Sequence, residues 1–142
     1  MLKEILSISG QPGLFKMVSK GKNSVIVESL ITGKRLPAFS SNKMTSLEDI
    51  AIFTITGEIS LRDIFKKISE KENSGKTIDS KSSDAELKKY FKQLLPDYDD
   101  NRVYTSDIKK VVGWYNLLLE KEMLNFEESQ EEDNPEQKEN NE

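Results

Sequence analysis

Short runs of apolar residues alternate with polar turns over the first third of the chain. Farther on, apolar positions recur at helical spacing. Residues 15–19, 24–31 and 34–40 are rich in β-branched and aromatic side chains. Lys20-Gly21-Lys22-Asn23 and Thr32-Gly33 separate them, the pattern of an antiparallel meander. Pro37 has no N–H to donate, which predicts that the third run is an edge strand or is bulged there. Residues 50–55 are almost wholly apolar and predict a fourth strand covered on both faces. At the front, Leu2, Ile5, Leu6 and Ile8 fit either a short helix or a strand, ended by the turn residues 9–13.

The pattern then changes period. Ser60 with Asp63 is a variant capping box, and Leu61, Ile64, Phe65 and Ile68 follow at i, i+3, i+4 and i+7. That stripe is a natural cover for the fourth strand. Residues 70–83 hold one large apolar side chain, Ile78, and read as a linker. Ser83 and Glu86 form a second capping box, before a stripe of Leu87, Tyr90, Phe91, Leu94 and Leu95 that stops at Pro96. Thr105 or Ser106 should cap a longer helix with the stripe Ile108, Val111, Val112, Tyr115, Leu118 and Leu119. Gly113 weakens that helix and predicts a close helix contact. The expected architecture is α+β. A small SH3-like antiparallel β-barrel with a closing helix (residues 1–69) precedes a linker (70–83), a helical hairpin (84–125) and a disordered acidic tail (126–142). The hairpin buries too little to stand alone, so it should pack on the barrel or on a second copy of itself.

Charge sharpens this division. The 142 residues carry a formal net charge of −4. Residues 126–142 hold eight acidic side chains and one basic, and a single large apolar one, Phe126. The tail's −7, taken from the whole chain's −4, leaves +3 on residues 1–125. Within that part, residues 14–43 contain Lys16, Lys20, Lys22, Lys34, Arg35 and Lys43 against Glu28 alone. These six are the candidate polyanion contacts, with Phe15 and Phe39 as nearby aromatic platforms. Lysines at turns also keep strand edges soluble, which is the plainer use of the same residues.

The chain has no Cys and no His, which excludes disulfides, thiol or imidazole catalysis and the usual zinc sites. No apolar run nears the roughly 18 residues of a membrane span, and the start lacks the pattern of a signal peptide. A cytoplasmic location is expected.

The stretches ILSISGQPGLFKMVSKGKNSVIVESL, KRLPAF, SLEDIAIFT and SLRDIF resemble the N-terminal domain of a family of small uncharacterised proteins found mainly in the Bacteroidota. LPDYDDNRVYTSDIKKVVGWYNLL resembles the helical domain that follows it in the same proteins. The resemblance implies two consecutive domains of unknown function. It implies no activity, cofactor or catalytic residue.

Other motifs are incomplete. Gly75-Lys76-Thr77 ends like a phosphate-binding loop, but Glu70 stands where the leading glycine belongs. Asp97-Tyr98-Asp99-Asp100-Asn101 begins like a calcium loop, yet Arg102 replaces its turn glycine and Ile108 its bidentate glutamate. Arg102 pairing with these acids would make the loop rigid instead. Ser-x-x-Lys recurs at Ser19/Lys22, Ser40/Lys43 and Ser106/Lys109, where each lysine reads as solvated and unsuited to act as a base. No metal, cofactor or membrane partner is expected. Trp114 and Tyr115 are core by spacing, but Trp114 sits beside the main stripe, so the pair is the candidate interface. The sequence thus reads as a non-enzymatic binding or adaptor module contacting a protein or nucleic acid. The alternative is a homo-oligomer formed through the helical hairpin.

Overall fold

The computed structural model describes residues 2–11, 13–39 and 43–124. A single helical turn at Leu2–Glu4 leads into β1 (Ile5–Ile8), β2 (Phe15–Lys20), β3 (Ser24–Ser29), β4 (Arg35–Phe39) and β5 (Met44–Ser46). A second such turn, Leu47–Asp49, is followed by β6 (Ala51–Phe53), β7 (Glu58–Ser60), α1 (Leu61–Lys71), α2 (Asp84–Leu94) and α3 (Thr105–Glu120).

The first five strands form one antiparallel sheet in the order β4-β3-β2-β1-β5. Pro37 lies on β4, an edge strand, where its missing N–H breaks no ladder. The bulge falls on β2 instead: the register shifts between Met17 and Ser19, leaving Val18 unpaired with β3. Leu6, Ile8, Phe15, Val27 and Ala38 form a small cluster on one face, with Leu36 and Met44 packed against it. Residues of both edge strands meet in that cluster, so the sheet curls over it. It does not close. Among the described residues β4 and β5 are not paired, so the five strands make a curled sheet and no closed barrel. The fourth apolar run explains why. Only Ala51–Phe53 is strand, and it pairs with β7 in a separate two-stranded ribbon. Nor is it covered on both faces, since Ile52 is buried while Phe53 is exposed.

Each helix follows from its cap and its stripe. Ser60 Oγ accepts the Asp63 N–H at 3.2 Å to start α1. Ser83 and Glu86 form the reciprocal capping box of α2. At α3 the cap is one residue earlier than expected: Tyr104 N–H donates to Asp107 Oδ2 at 2.9 Å, and Thr105 is already helical. Glu122 ends α3 at φ 57°, with its N–H on Leu119 O and that of Met123 on Leu118 O. Those two bonds are a Schellman motif, which turns the chain off the helix axis.

The apolar stripes of all three helices share one large core with Leu2, Ile5, Leu14, Leu30, Leu47 and Ile52. Strand β1 is therefore buried on both faces, Ile5 in the helical core and Leu6 and Ile8 in the sheet's own cluster. The hairpin of α2 and α3 packs against the rest of the chain through this core. Residues 72–83, without strand or helix, are pinned to α3. Asn116 Oδ1 accepts the Thr77 N–H at 2.9 Å, Asn116 Nδ2 donates to the Thr77 and Ile78 carbonyls, and Tyr115 OH donates to Gly75 O at 2.9 Å.

Candidate binding face on helix α3

One side of α3 is core; the adjacent side lines a groove. Lys110, Trp114 and Leu117 fall at i, i+4 and i+7 beside the buried stripe, and Lys109 and Gly113 make a parallel row. Gly113 has no side chain, and the space beside it holds Ser80, 3.6 Å from where a Cβ would stand. The close contact expected at Gly113 is thus with the 72–83 segment, not with another helix. Opposite, Gly13 at φ +76° lets the β1–β2 loop press on Ile31; a Cβ there would stand 2.4 Å from Ile31 Cδ1. Between these walls lies a groove of about 540 Å³, lined by Ile31, Trp114 and Leu117 and by Lys81, Lys109 and Lys110. Trp114 is half-buried and also walls a second hollow of about 340 Å³ on its other side, towards Thr45, Ala51, Phe53 and Arg102.

That second hollow has a rigid rim. The Arg102 guanidinium lies 4.2 Å from the Phe53 ring centre, and its Nε donates to Asp99 Oδ2 at 2.9 Å. This bond, then the Asn101 N–H, holds the Asp99 carboxyl below the usual carboxylate range. Backbone bonds from Ile55 N–H to Asp97 O and from Asp99 N–H to Phe53 O tie the same loop to the β6–β7 ribbon. The expected Arg102 pairing is thus present, and it spends a carboxylate that a cation would need. The described residues include no cluster of three or more potential metal-ligating side chains.

The residues singled out from sequence do not converge. Lys20 and Lys22 sit at the β2–β3 turn, whereas Lys34 and Arg35 sit at the far end of the β3–β4 pair. The six residues of β3 put about 17 Å between the two groups. Arg35 Nε is bonded to Glu28 Oε1 at 3.0 Å. Lys16 is on β2 in register with Glu28, and Lys43 stands just before β5, where its carbonyl accepts the Ser9 N–H. Phe15 is buried in the sheet cluster and offers no platform, while Phe39 is half exposed. Tyr115 is fully buried against Phe65, with ring centres 6.0 Å apart. Trp114 alone of the candidate interface pair reaches the surface. In the 75–77 segment the Thr77 N–H, which a phosphate loop would offer to its ligand, is taken by Asn116.

The grouping of the groove's lysines is not legible in the sequence, because they come from two segments, residue 81 and residues 109–110. The available signal was helical: Lys110 and Trp114 are one turn apart on the unburied side of the stripe.

Tyr90 completes the pinning of residues 72–83. Its OH donates to Glu72 Oε2 at 2.6 Å, and burial, then this bond, raises its pKa well above the ordinary value. Burial raises Tyr115 as well.

The fold and the groove define an α+β protein in which a curled sheet and three helices share a core, with a cationic, tryptophan-walled face along the last helix. Residues 2–47 match the family model of a domain of unknown function (DUF5606), and residues 50–118 match that of a second (DUF6852). The chain is also similar to a Bacteroides vulgatus protein whose solution NMR structure comes from a structural genomics consortium. The two are 44% identical over 89% of this chain and 91% of that one, with a TM-score of 0.73. No curated protein matches. The chain therefore belongs to the family in which these two domains of unknown function follow one another, as the sequence resemblance implied. The boundary between them falls at the turn before β6.

Proposed function

We propose that the protein is a non-enzymatic binding module that receives a protein or nucleic-acid partner along the exposed side of α3. The observation that carries this reading is Trp114, half-buried between two hollows and flanked by Lys81, Lys109 and Lys110. A large amphipathic ring on a rigid helix supplies contact area at little entropic cost, and surrounding cations give orientation and rate. The original basic set is a weaker candidate because the strand registers divide it. A cytoplasmic location belongs to the proposal; no helix among the described residues is long and apolar enough to cross a membrane.

The test compares affinity capture by the wild-type chain and by Lys81→Glu/Lys110→Glu, each with and without nuclease. Both lysines are exposed, so the variant should melt within a few degrees of wild type. A partner retained by wild type and lost by the variant supports the reading, and nuclease sensitivity assigns the partner's class. Identical capture by both chains overturns it. A homo-oligomer is the second reading, favoured by the exposure of Phe53, Ile55 and Tyr104. Light scattering decides that case: a mass of two or more chains supports it, and one chain's mass removes it.

A further inference from the structure

The groove beside Trp114 has apolar walls and a basic rim. Lys109 faces Asp84 at 3.8 Å, while among the described residues no ion pair engages Lys81 or Lys110. The chain itself carries the complementary segment. Eighteen residues follow Leu124, and those from Phe126 onward carry −7. The Schellman turn at Glu122 directs the backbone away from the α3 axis, and Met123 and Leu124 pack back on the large core. The chain thus leaves close to Leu117, one end of the groove. From Leu117 to Lys109 is eight residues of helix, about 12 Å. Eighteen residues can span up to about 60 Å, several times what is needed.

We propose that residues 126–142 of this chain occupy the groove. Glu127, Glu128, Glu131, Glu132 and Asp133 lie against Lys81, Lys109 and Lys110, and Phe126 lies against the Trp114–Leu117 wall. The proposal rests on the reading of α3 as the binding face and names its resident competitor. Tethering gives the tail an effective concentration near millimolar, and a Debye length of about 8 Å at physiological salt confines the attraction to close approach. A free nucleic acid would have to displace this covalently attached polyanion. An incoming partner must compete with the tail or draw it off.

Trp114 is the only tryptophan in the chain, so its fluorescence reads the groove directly. The experiment measures acrylamide quenching of the full-length wild type and of a full-length variant with Glu127, Glu128, Glu131 and Glu132 changed to Gln and Asp133 to Asn. Wild type should be quenched about half as strongly as the variant at low salt. The gap should close as salt rises towards 1 M, where the Debye length is about 3 Å. Lys81→Glu/Lys110→Glu should behave like the tail variant at every salt.

Equal quenching of wild type and tail variant at low salt overturns the proposal. So does protection that grows with protein concentration, which would assign the groove to a second copy's tail. A single-stranded oligonucleotide that shields Trp114 equally in wild type and tail variant also overturns it, in favour of an open nucleic-acid site. In each case the capture comparison still decides whether α3 is the binding face, so the two ideas fail separately.

Discussion

The cluster under the curled sheet and the core among the helices use the same kinds of side chain and differ in how they are closed. Among the described residues five buried ones make up the first, and its cover is the sheet's own curvature. Twenty-one of the described residues make up the second, and every helix plus both short turns contributes to it. A strand presents one residue in two to a given face, so a single thin sheet with three- to six-residue strands cannot enclose much. Three helices with stripes about 100° wide can, and they reach across to Ile5, Leu14 and Leu30. The sheet is held chiefly by its outer face on the helices, and the groove beside Trp114 lies where loops of the sheet meet α3.

The largest test of this contrast is Tyr115→Ala. It removes a fully buried ring, its contact with Phe65 and its bond to Gly75, and should cost about 3–5 kcal/mol in denaturant unfolding. Tyr115→Phe keeps the ring and should cost about 1 kcal/mol. Val27→Ala empties part of the sheet cluster and should cost only about 1–2 kcal/mol. If Val27→Ala matched Tyr115→Ala, the two cores would be equal partners and the contrast would fail.

Smaller still is Ser83→Ala, which removes the hydroxyl half of the α2 capping box, leaves the Ser83 N–H on the Glu86 carboxylate, and should lower stability by about 1 kcal/mol.

The mildest perturbation is pH. Tyr90 and Tyr115 bind their protons more tightly folded than unfolded, because both are desolvated. Their contribution is complete below the ordinary tyrosine value of about 10 and is lost as pH rises beyond it towards their folded values. Stability should therefore decline above about pH 10 in wild type, and less steeply in Tyr90→Phe. Equal slopes in the two chains would show that Tyr90 titrates as an ordinary tyrosine.

The helices were legible because their evidence is local. Ser60, Ser83 and the i, i+3, i+4 stripes fix each element within one or two turns. Only the α3 cap differed, since Asp107 served the Tyr104 N–H in place of a hydroxyl at Thr105 or Ser106. The strands were less so. Residues 15–39 were read as a meander and are one, but β5 is three residues long, carries a single apolar side chain and gave no pattern. Pairing partners are set by contacts distant in sequence, which is why the 50–55 run was assigned to a barrel when it pairs with β7. The same distance hid the groove: Gly13, Ile31, Lys81 and Trp114 come from four separate segments. The disorder expected for 126–142 lies outside the described residues.

Native-state hydrogen exchange in rising denaturant tests the central claim, that sheet and helices share one core, most directly. Strand β1 carries Ile5 of the large core, and α3 carries Val112 and Tyr115 of the same core. The account predicts that the slowest amides of β1 and α3 open with the same free energy and the same denaturant dependence, with those of β3 and β4 at or below that value. Amides of β1 that exchange fully while α3 stays protected would contradict it, and would make the sheet and the helices two independently stable units.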